Sequence, residues 1–232
     1  MLACGNEPAW SGEDWQIERS ETAVVLPPEV VALIVDNPDG DIRLRRGETG
    51  HLGVRAVHQH PGPPAGAGWT GRTRGQVFRL NTHPASANDP RARVDIVITA
   101  PPDLRLTLRS VRGDIEVRRH AGPIKARTQG GDIAIQATGS VDASTHTGSI
   151  QAGLLGPAPA NGARFRSRHG PIDLVVAAES SWWIDLRGCP IQGVADSARN
   201  TACVRLRQGE PGAPGLRART GGALTLVRAP QH

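Results

Sequence analysis

The chain contains no tyrosine, two phenylalanines and five tryptophans among its 232 residues. A core must therefore be filled by Val, Ile, Leu and Ala, which suits thin strands stacked in tight layers. No apolar stretch approaches the roughly 20 residues of a membrane-spanning helix. Helical periodicity nowhere persists beyond a turn or two, so a helix bundle is excluded. Lys125 is the sole lysine, and the net charge of +5 is carried almost wholly by arginine. Those arginines form no block. They alternate with apolar residues, as in Leu104-Arg105-Leu106 and Val204-Arg205-Leu206-Arg207, which is the pattern of a solvated strand face. A nucleic-acid groove would cluster arginine and interleave aromatics, so no nucleic-acid partner is expected.

Glycine and proline are plentiful, at 28 and 19 residues, and they spell frequent turns. Between Asp103 and Leu155 the chain can be written in rows: SVRGDIEVRRH, AGPIKARTQG, GDIAIQAT, GSVDASTHT, GSIQAGL. Each row carries a glycine, a small or turn-forming residue and then a β-branched residue. Ile115, Ile124, Ile133, Val141 and Ile150 recur at steps of 8 or 9 residues. A repeat of fixed period marks a stacked architecture in which each unit buries its apolar face only against its neighbours. Strand alternation points Ile115 and Val117, like Ile133 and Ile135, into the core, and turns Glu116, Arg118, Ala134 and Gln136 outward. Gly40, Gly113, Gly131, Gly148 and Gly170 read as turn residues that tolerate positive φ. Asp41, Asp114 and Asp132 follow their glycines directly and read as corner residues bonding nearby backbone N–H groups. The expected fold class is all-β: a β-solenoid, or single-stranded β-helix-like stack of short strands, with half-repeats of about 9 residues.

The expected organisation is an N-terminal anchor or tail over 1–14 and a single β-repeat domain over 15–228. A first copy of the row, Gly40-Asp41-Ile42, stands well before the main array. Further rows are Arg168 to Leu174 and Trp183 to Leu186, and Leu216 to Leu226 is the last. Loop excursions are expected near 60–75, 81–90 and 156–162, where proline, glycine and polar residues break the pattern.

Gly40-Asp41-Ile42, Gly113-Asp114-Ile115, Gly131-Asp132-Ile133 and Gly148-Ser149-Ile150, with the lead-in Ala100-Pro101-Pro102-Asp103-Leu104-Arg105-Leu106, resemble the bacterial "putative adhesin" family of uncharacterised envelope-associated β-repeat proteins. The resemblance covers residues 30–226. It implies a solenoid-like fold in a surface or periplasmic protein without known enzymatic activity or cofactor, and it supplies no functional residues. The implied role is a binding, adhesion or structural module facing an unknown protein or carbohydrate partner. One alternative is a polymer-forming scaffold whose exposed sheet edges pair end to end; the polar segment Glu7 to Glu21 would cap one end and favours a monomer. The opening Met1-Leu2-Ala3-Cys4-Gly5 is similar to the tail of a bacterial lipoprotein signal peptide. Cys4 is thus a candidate lipid-attachment site and the sole expected membrane contact, and the cell envelope is the expected location. If Cys4 is an ordinary cysteine, a cytoplasmic location stays open.

No residue set announces an enzyme. A glycoside-cleaving β-helix needs two carboxylates at a set separation in a cleft; Asp114, Asp132 and Asp173 could share a face, yet each fits a turn. Asp142, Ser144 and His146 would share one strand face instead of converging as a triad. His51, His58 and His60 are close in sequence, and His58 and His60 share a strand face. No carboxylate or cysteine stands beside them at metal-ligand spacing, so exposed strand-end histidines and no metal are the reading. Gly130-Gly131-Asp132 lacks the consecutive copies of a calcium-binding roll. Cys189 and Cys203, 14 residues apart, are a candidate disulfide in a stacked fold, against the alternative of two separate buried thiols.

Overall fold

A computed structural model describes residues 15–61, 68–83, 92–192 and 203–229. The N-terminal part holds β1 (Trp15–Val25), β2 (Ala32–Asn37), β3 (Ile42–Arg46), β4 (His51–Pro61), β5 (Trp69–Arg74), β6 (Val77–Thr82) and β7 (Arg93–Ala100). The central array follows as β8 (Arg105–Ser110), β9 (Ile115–His120), β10 (Ile124–Arg127), β11 (Ile133–Ala137), β12 (Val141–Thr145), β13 (Ile150–Leu154), β14 (Ala163–Ser167) and β15 (Ile172–Val176). The last elements are β16 (Trp183–Gly188), β17 (Ile191–Gln192), β18 (Val204–Gln208), β19 (Gly215–Thr220) and β20 (Leu224–Arg228). Among the described residues there is no helix. The protein is all-β.

The strands form two ten-stranded mixed sheets, not closed on one another. The first runs β1-β4-β7-β3-β9-β11-β13-β15-β20-β17, and the second β18-β16-β19-β14-β12-β10-β8-β2-β6-β5. Through the array successive strands alternate between the sheets, so each 8- or 9-residue step of the sequence crosses the core once. Within each sheet the array strands pair in parallel and in register. Ile96, Ile42, Ile115, Ile133, Ile150, Ile172, Leu224 and Ile191 are consecutive partners across the first sheet, and all are buried. Leu33, Leu106, Ile124, Val141, Ala163, Leu216 and Ile184 form the matching column in the second. The expected inward column of isoleucines is present, and few aromatics (Phe78, Phe165, Trp182) join the core.

Chain order and spatial order part company at both ends. The first copy stacks directly on the array: the Asp114 amide bonds Asp41 Oδ1 across 73 residues of sequence. The final copy is not terminal in space, because β19 lies between β14 and β16 and β20 between β15 and β17. The expected excursion over 60–75 contains strand β5, antiparallel to β6; residues 62–67 are outside the described set, as are 84–91 of the excursion near 81–90. The stretch 156–162 is a loop, turned by a Gly162 N–H to Pro159 carbonyl bond of 2.7 Å.

The corners obey a different physics from the one the sequence suggests. Of the repeat glycines only Gly40 has positive φ, at 133°. The others are required by the closeness of the row beneath. A Cβ on Gly113 would sit 1.8 Å from the Gly40 carbonyl oxygen, one on Gly131 2.0 Å from that of Gly113, and one on Gly148 1.9 Å from that of Gly131. The aspartates likewise act between rows rather than within a corner. Asp95 Oδ1 accepts the Asp41 amide, Asp41 the Asp114 amide, Asp114 the Asp132 amide and Asp132 the Ser149 amide, at 2.9, 3.1, 2.8 and 2.6 Å. Asp173 does not join this series: Pro171 holds the corner position of its row, and Asp173 faces outward on β15.

A buried hydroxyl ladder completes each corner. Thr128 Oγ1 accepts the Gly131 amide at 3.1 Å and donates to the Gly113 carbonyl at 3.0 Å. Thr145 does the same with the Gly148 amide (3.2 Å) and Gly131 carbonyl (2.9 Å), and Ser167 with Gly170 and Gly148 (2.9 and 2.8 Å). Ser110 begins the ladder and Thr220 ends it. Each hydroxyl thereby satisfies a donor and an acceptor that tight glycine stacking takes away from water.

Candidate binding face on the second sheet

In-register stacking turns arginines that are scattered in sequence into a compact array. The outward residues of β14 are Arg164 and Arg166, those of β19 are Arg217 and Arg219, and those of β16 are Asp185 and Arg187. Arg164 pairs with Arg217 and Arg217 with Asp185, while Arg166 pairs with Arg219 and Arg219 with Arg187. Strand spacing of about 4.8 Å and a two-residue repeat of about 6.7 Å set the grid. Five guanidinium groups thus surround one carboxylate in a shallow groove. None of Arg164, Arg166, Arg187, Arg217 and Arg219 has an ion-pair partner among the described residues, whereas Arg205 on β18 takes Asp185 at 2.6 Å. The Arg217 guanidinium lies 5.8 Å from the centre of the Trp183 ring.

The face continues past this array. Across β12, β10 and β8 the outward positions hold Asp142 and Ser144, Lys125 and Arg127, Thr107 and Arg109. Arg127 approaches Asp142 only to 3.9 Å, and Arg109 pairs with Asp36 at the margin, at 3.2 Å. Asp185 registers the local field. Its carboxyl is held below the usual carboxylate range, first by the Arg205 hydrogen bond, against a desolvation penalty, and then by the charges of Arg205, Arg207 and Arg187.

The first sheet supplies an internal comparison. Its outward positions over β11, β13, β15 and β20 are Ala134 and Gln136, Gln151 and Gly153, Asp173 and Val175, Thr225 and Val227. The same fold with the same registers therefore stands without an arginine array. Further along the same sheet, β3, β7 and β9 do carry outward arginines, but Arg43, Arg45, Arg93 and Arg118 are ion-paired there with Asp41, Asp95 and Glu116.

In the sequence these arginines stand as ordinary solvated strand positions with no cluster. The alternation expected of each strand holds, but clustering depends on register between strands, which the rows ARFRS, GLRART and WIDLRG do not state singly. Asp142 and Ser144 share the outward face of β12 and His146 lies in the exposed turn beyond it, so the three make no relay. Cys189 and Cys203 are joined by a disulfide with Cα atoms 4.1 Å apart. The bond continues the β16–β18 ladder one step past the Gly188–Val204 pair. Cys4 lies outside the described residues. His51 stands exposed at the start of β4, apart from buried His58 and His60. The expectation of exposed histidines is overturned for His58 and His60, which β1 covers; the carboxylate missing from their neighbourhood in sequence arrives from β1, where antiparallel pairing sets Glu18 opposite His58, 40 residues away.

No family model and no curated protein matches the sequence. Among solved structures, a putative cell adhesion protein of Clostridium sporogenes superposes with a TM-score of 0.55 at 8% identity, covering 91% of this chain and 100% of its own. The chain shares that protein's fold. A putative adhesin of Bacteroides fragilis aligns with a TM-score of 0.43 at 14% identity, over 90% of this chain and 97% of its own. At 8% identity what is shared with the Clostridium protein is the fold; the arginine array is described from this chain alone.

Proposed function

We propose that the protein is a non-enzymatic, extracytoplasmic binding module that holds an acidic polysaccharide against the arginine face of its second sheet. The observation that carries this reading is the group of five unpaired guanidiniums at Arg164, Arg166, Arg187, Arg217 and Arg219. Guanidinium forks match carboxylate and phosphate oxygens, and a ladder of them suits an extended polyanion better than a small ligand. Nucleic acid fits less well, since stacking platforms are missing: Trp183 is the one aromatic at the outward positions of these strands, half-buried under Arg217. The Cys189–Cys203 disulfide supports a location outside the cytosol, and the Clostridium protein of the same fold is a putative cell adhesion protein. In this reading the stack works as a solenoid-like spacer and a monomer, since at three of its four sheet edges an antiparallel strand (β1, β5 or β18) breaks the parallel repeat that end-to-end stacking would extend.

Binding of polygalacturonate, with neutral dextran as the control, tests the reading. Polygalacturonate should bind, weaken steeply as salt rises, and lose at least tenfold in affinity in Arg166→Gln/Arg219→Gln. Equal binding by that variant, no preference over dextran, or tighter binding to single-stranded DNA or anionic lipid vesicles would overturn it.

A further inference from the structure

At the opposite end of the molecule, on the outer strands of the first sheet, Glu18, His58 and His60 come together. Glu18 on β1 pairs directly with His58 on β4, and His60 follows two residues along the same face. Both histidines are buried, at 2% and 0% exposure, with ring centres 4.6 Å apart. The metal-capable atoms of the three side chains all lie within 4.8 Å of one another. Ser20, next along this face of β1, has a buried hydroxyl without a hydrogen-bond partner.

His60 carries the argument. Its Nδ1 lies 3.2 Å from the Pro61 carbonyl oxygen and its Nε2 lies 3.1 Å from Glu18 Oε1. Both neighbours are acceptors. A neutral imidazole has one N–H and can serve only one of them. With Nδ1–H given to Pro61, the Nε2 lone pair points at a carboxylate oxygen, an arrangement that needs a positive charge between them. An N–H to carbonyl bond on the far nitrogen is also how metal-binding histidines are oriented. Two imidazoles and one carboxylate form a zinc ligand set that leaves a fourth position for water. Ligand atoms around tetrahedral zinc lie about 3.4 Å apart, so the cluster needs to contract by roughly an ångström. Glu18, with 27% of its side chain exposed, can supply that movement and gives the ion a path in.

We propose that Glu18, His58 and His60 bind one divalent transition-metal ion of the zinc type, clamping edge strand β1 to β4. The sequence hides the site because its third ligand lies 42 residues from His60.

The test uses the full chain stripped with chelator. Zinc is titrated calorimetrically with elemental analysis of the dialysed product, and cobalt(II) is added as a spectroscopic probe. Expected are one zinc per chain, tetrahedral cobalt absorption, and a thermal midpoint that rises with zinc. Glu18→Gln, a change at a part-exposed position, should weaken zinc at least tenfold and abolish the rise in midpoint. His146→Asn, which breaks up the exposed His146–His169 pair, should leave both intact. Failure to take up zinc would overturn the proposal. So would uptake that is unchanged in Glu18→Gln or lost in His146→Asn.

Discussion

Replacing Thr145 by valine isolates the hydroxyl ladder from everything else in a corner. The two side chains have nearly the same shape, so packing of this buried residue is preserved and only the hydroxyl is lost. That hydroxyl accepts from the Gly148 amide at 3.2 Å and donates to the Gly131 carbonyl at 2.9 Å. Valine serves neither group, and water cannot reach them: a Cβ on Gly148 would already lie 1.9 Å from the Gly131 oxygen. Leaving a buried polar group unsatisfied costs about 1–3 kcal/mol, so the pair should cost about 2–6 kcal/mol. With a urea slope of about 2–3 kcal/mol/M, the unfolding midpoint should fall by roughly 1 M or more at unchanged slope. Thr145→Ser keeps the hydroxyl and should lose only about 1 kcal/mol, the contribution of a buried methyl group. If Thr145→Val unfolds within about 0.5 kcal/mol of the parent, a size typical of neutral surface changes, the ladder does not hold the corners and the reasoning fails.

Stability should also fall as pH is lowered through the histidine range. Burial holds the His120 imidazole below its ordinary value, partly offset by its bond to the Leu104 carbonyl and the charge of Asp103. The unfolded chain then takes up a proton that the folded chain refuses, so stability present above the unfolded pKa of about 6.5 declines below it; His120→Gln should flatten that decline in urea midpoints measured between pH 7 and pH 5. Replacing both Cys189 and Cys203 by alanine should cost about 3 kcal/mol for a loop of this size, read as a lower midpoint in non-reducing urea melts. Ile133→Ala should cost about 2–5 kcal/mol through the cavity left in the isoleucine column, by the same melts. Arg219→Gln should raise stability slightly, by about 0.2–1 kcal/mol at low salt, with the gain vanishing at high salt.

The inward half of this fold was legible because it repeats. Ile115, Ile133, Ile150 and Ile172 each follow a glycine corner, and period-2 alternation leaves them a single face to occupy. The hydroxyl ladder was equally present in the sequence as Ser110, Thr128, Thr145 and Ser167, each three residues before a repeat glycine, but the expectation of positive φ hid the reason for it. Other features could not be read. Insertion of β19 and β20 into the stack, the pairing of β1 with β4, and the arginine array are all set by contacts between distant segments, and no single row encodes its neighbour.

The arginine face is best understood by asking what folding requires of those positions. Four strands of the first sheet answer directly: Ala134, Gln136, Gln151, Gly153, Val175, Thr225 and Val227 occupy equivalent outward sites in the same parallel register, with Asp173 the one charged residue among them. Outward charge is therefore no condition of the architecture. On the second sheet Arg166, Arg219 and Arg187 stand on adjacent strands as direct partners, and like charges facing one another across a ladder oppose folding. Solvent screens much of that repulsion at these exposed positions, so its cost is modest, but its sign is unfavourable. Asp185 makes its direct ion pair with Arg205, and of the central five only Arg187 feels its charge appreciably. A polyanion laid along the groove would remove the repulsion and release counterions from the arginines at once. The same substitution, Arg219→Gln, should for that reason move stability up and polygalacturonate affinity down. Opposite signs for the two measurements separate a face built for a ligand from one that is merely solvated; if both fall together, the arginine contributes to folding and the binding reading loses its support.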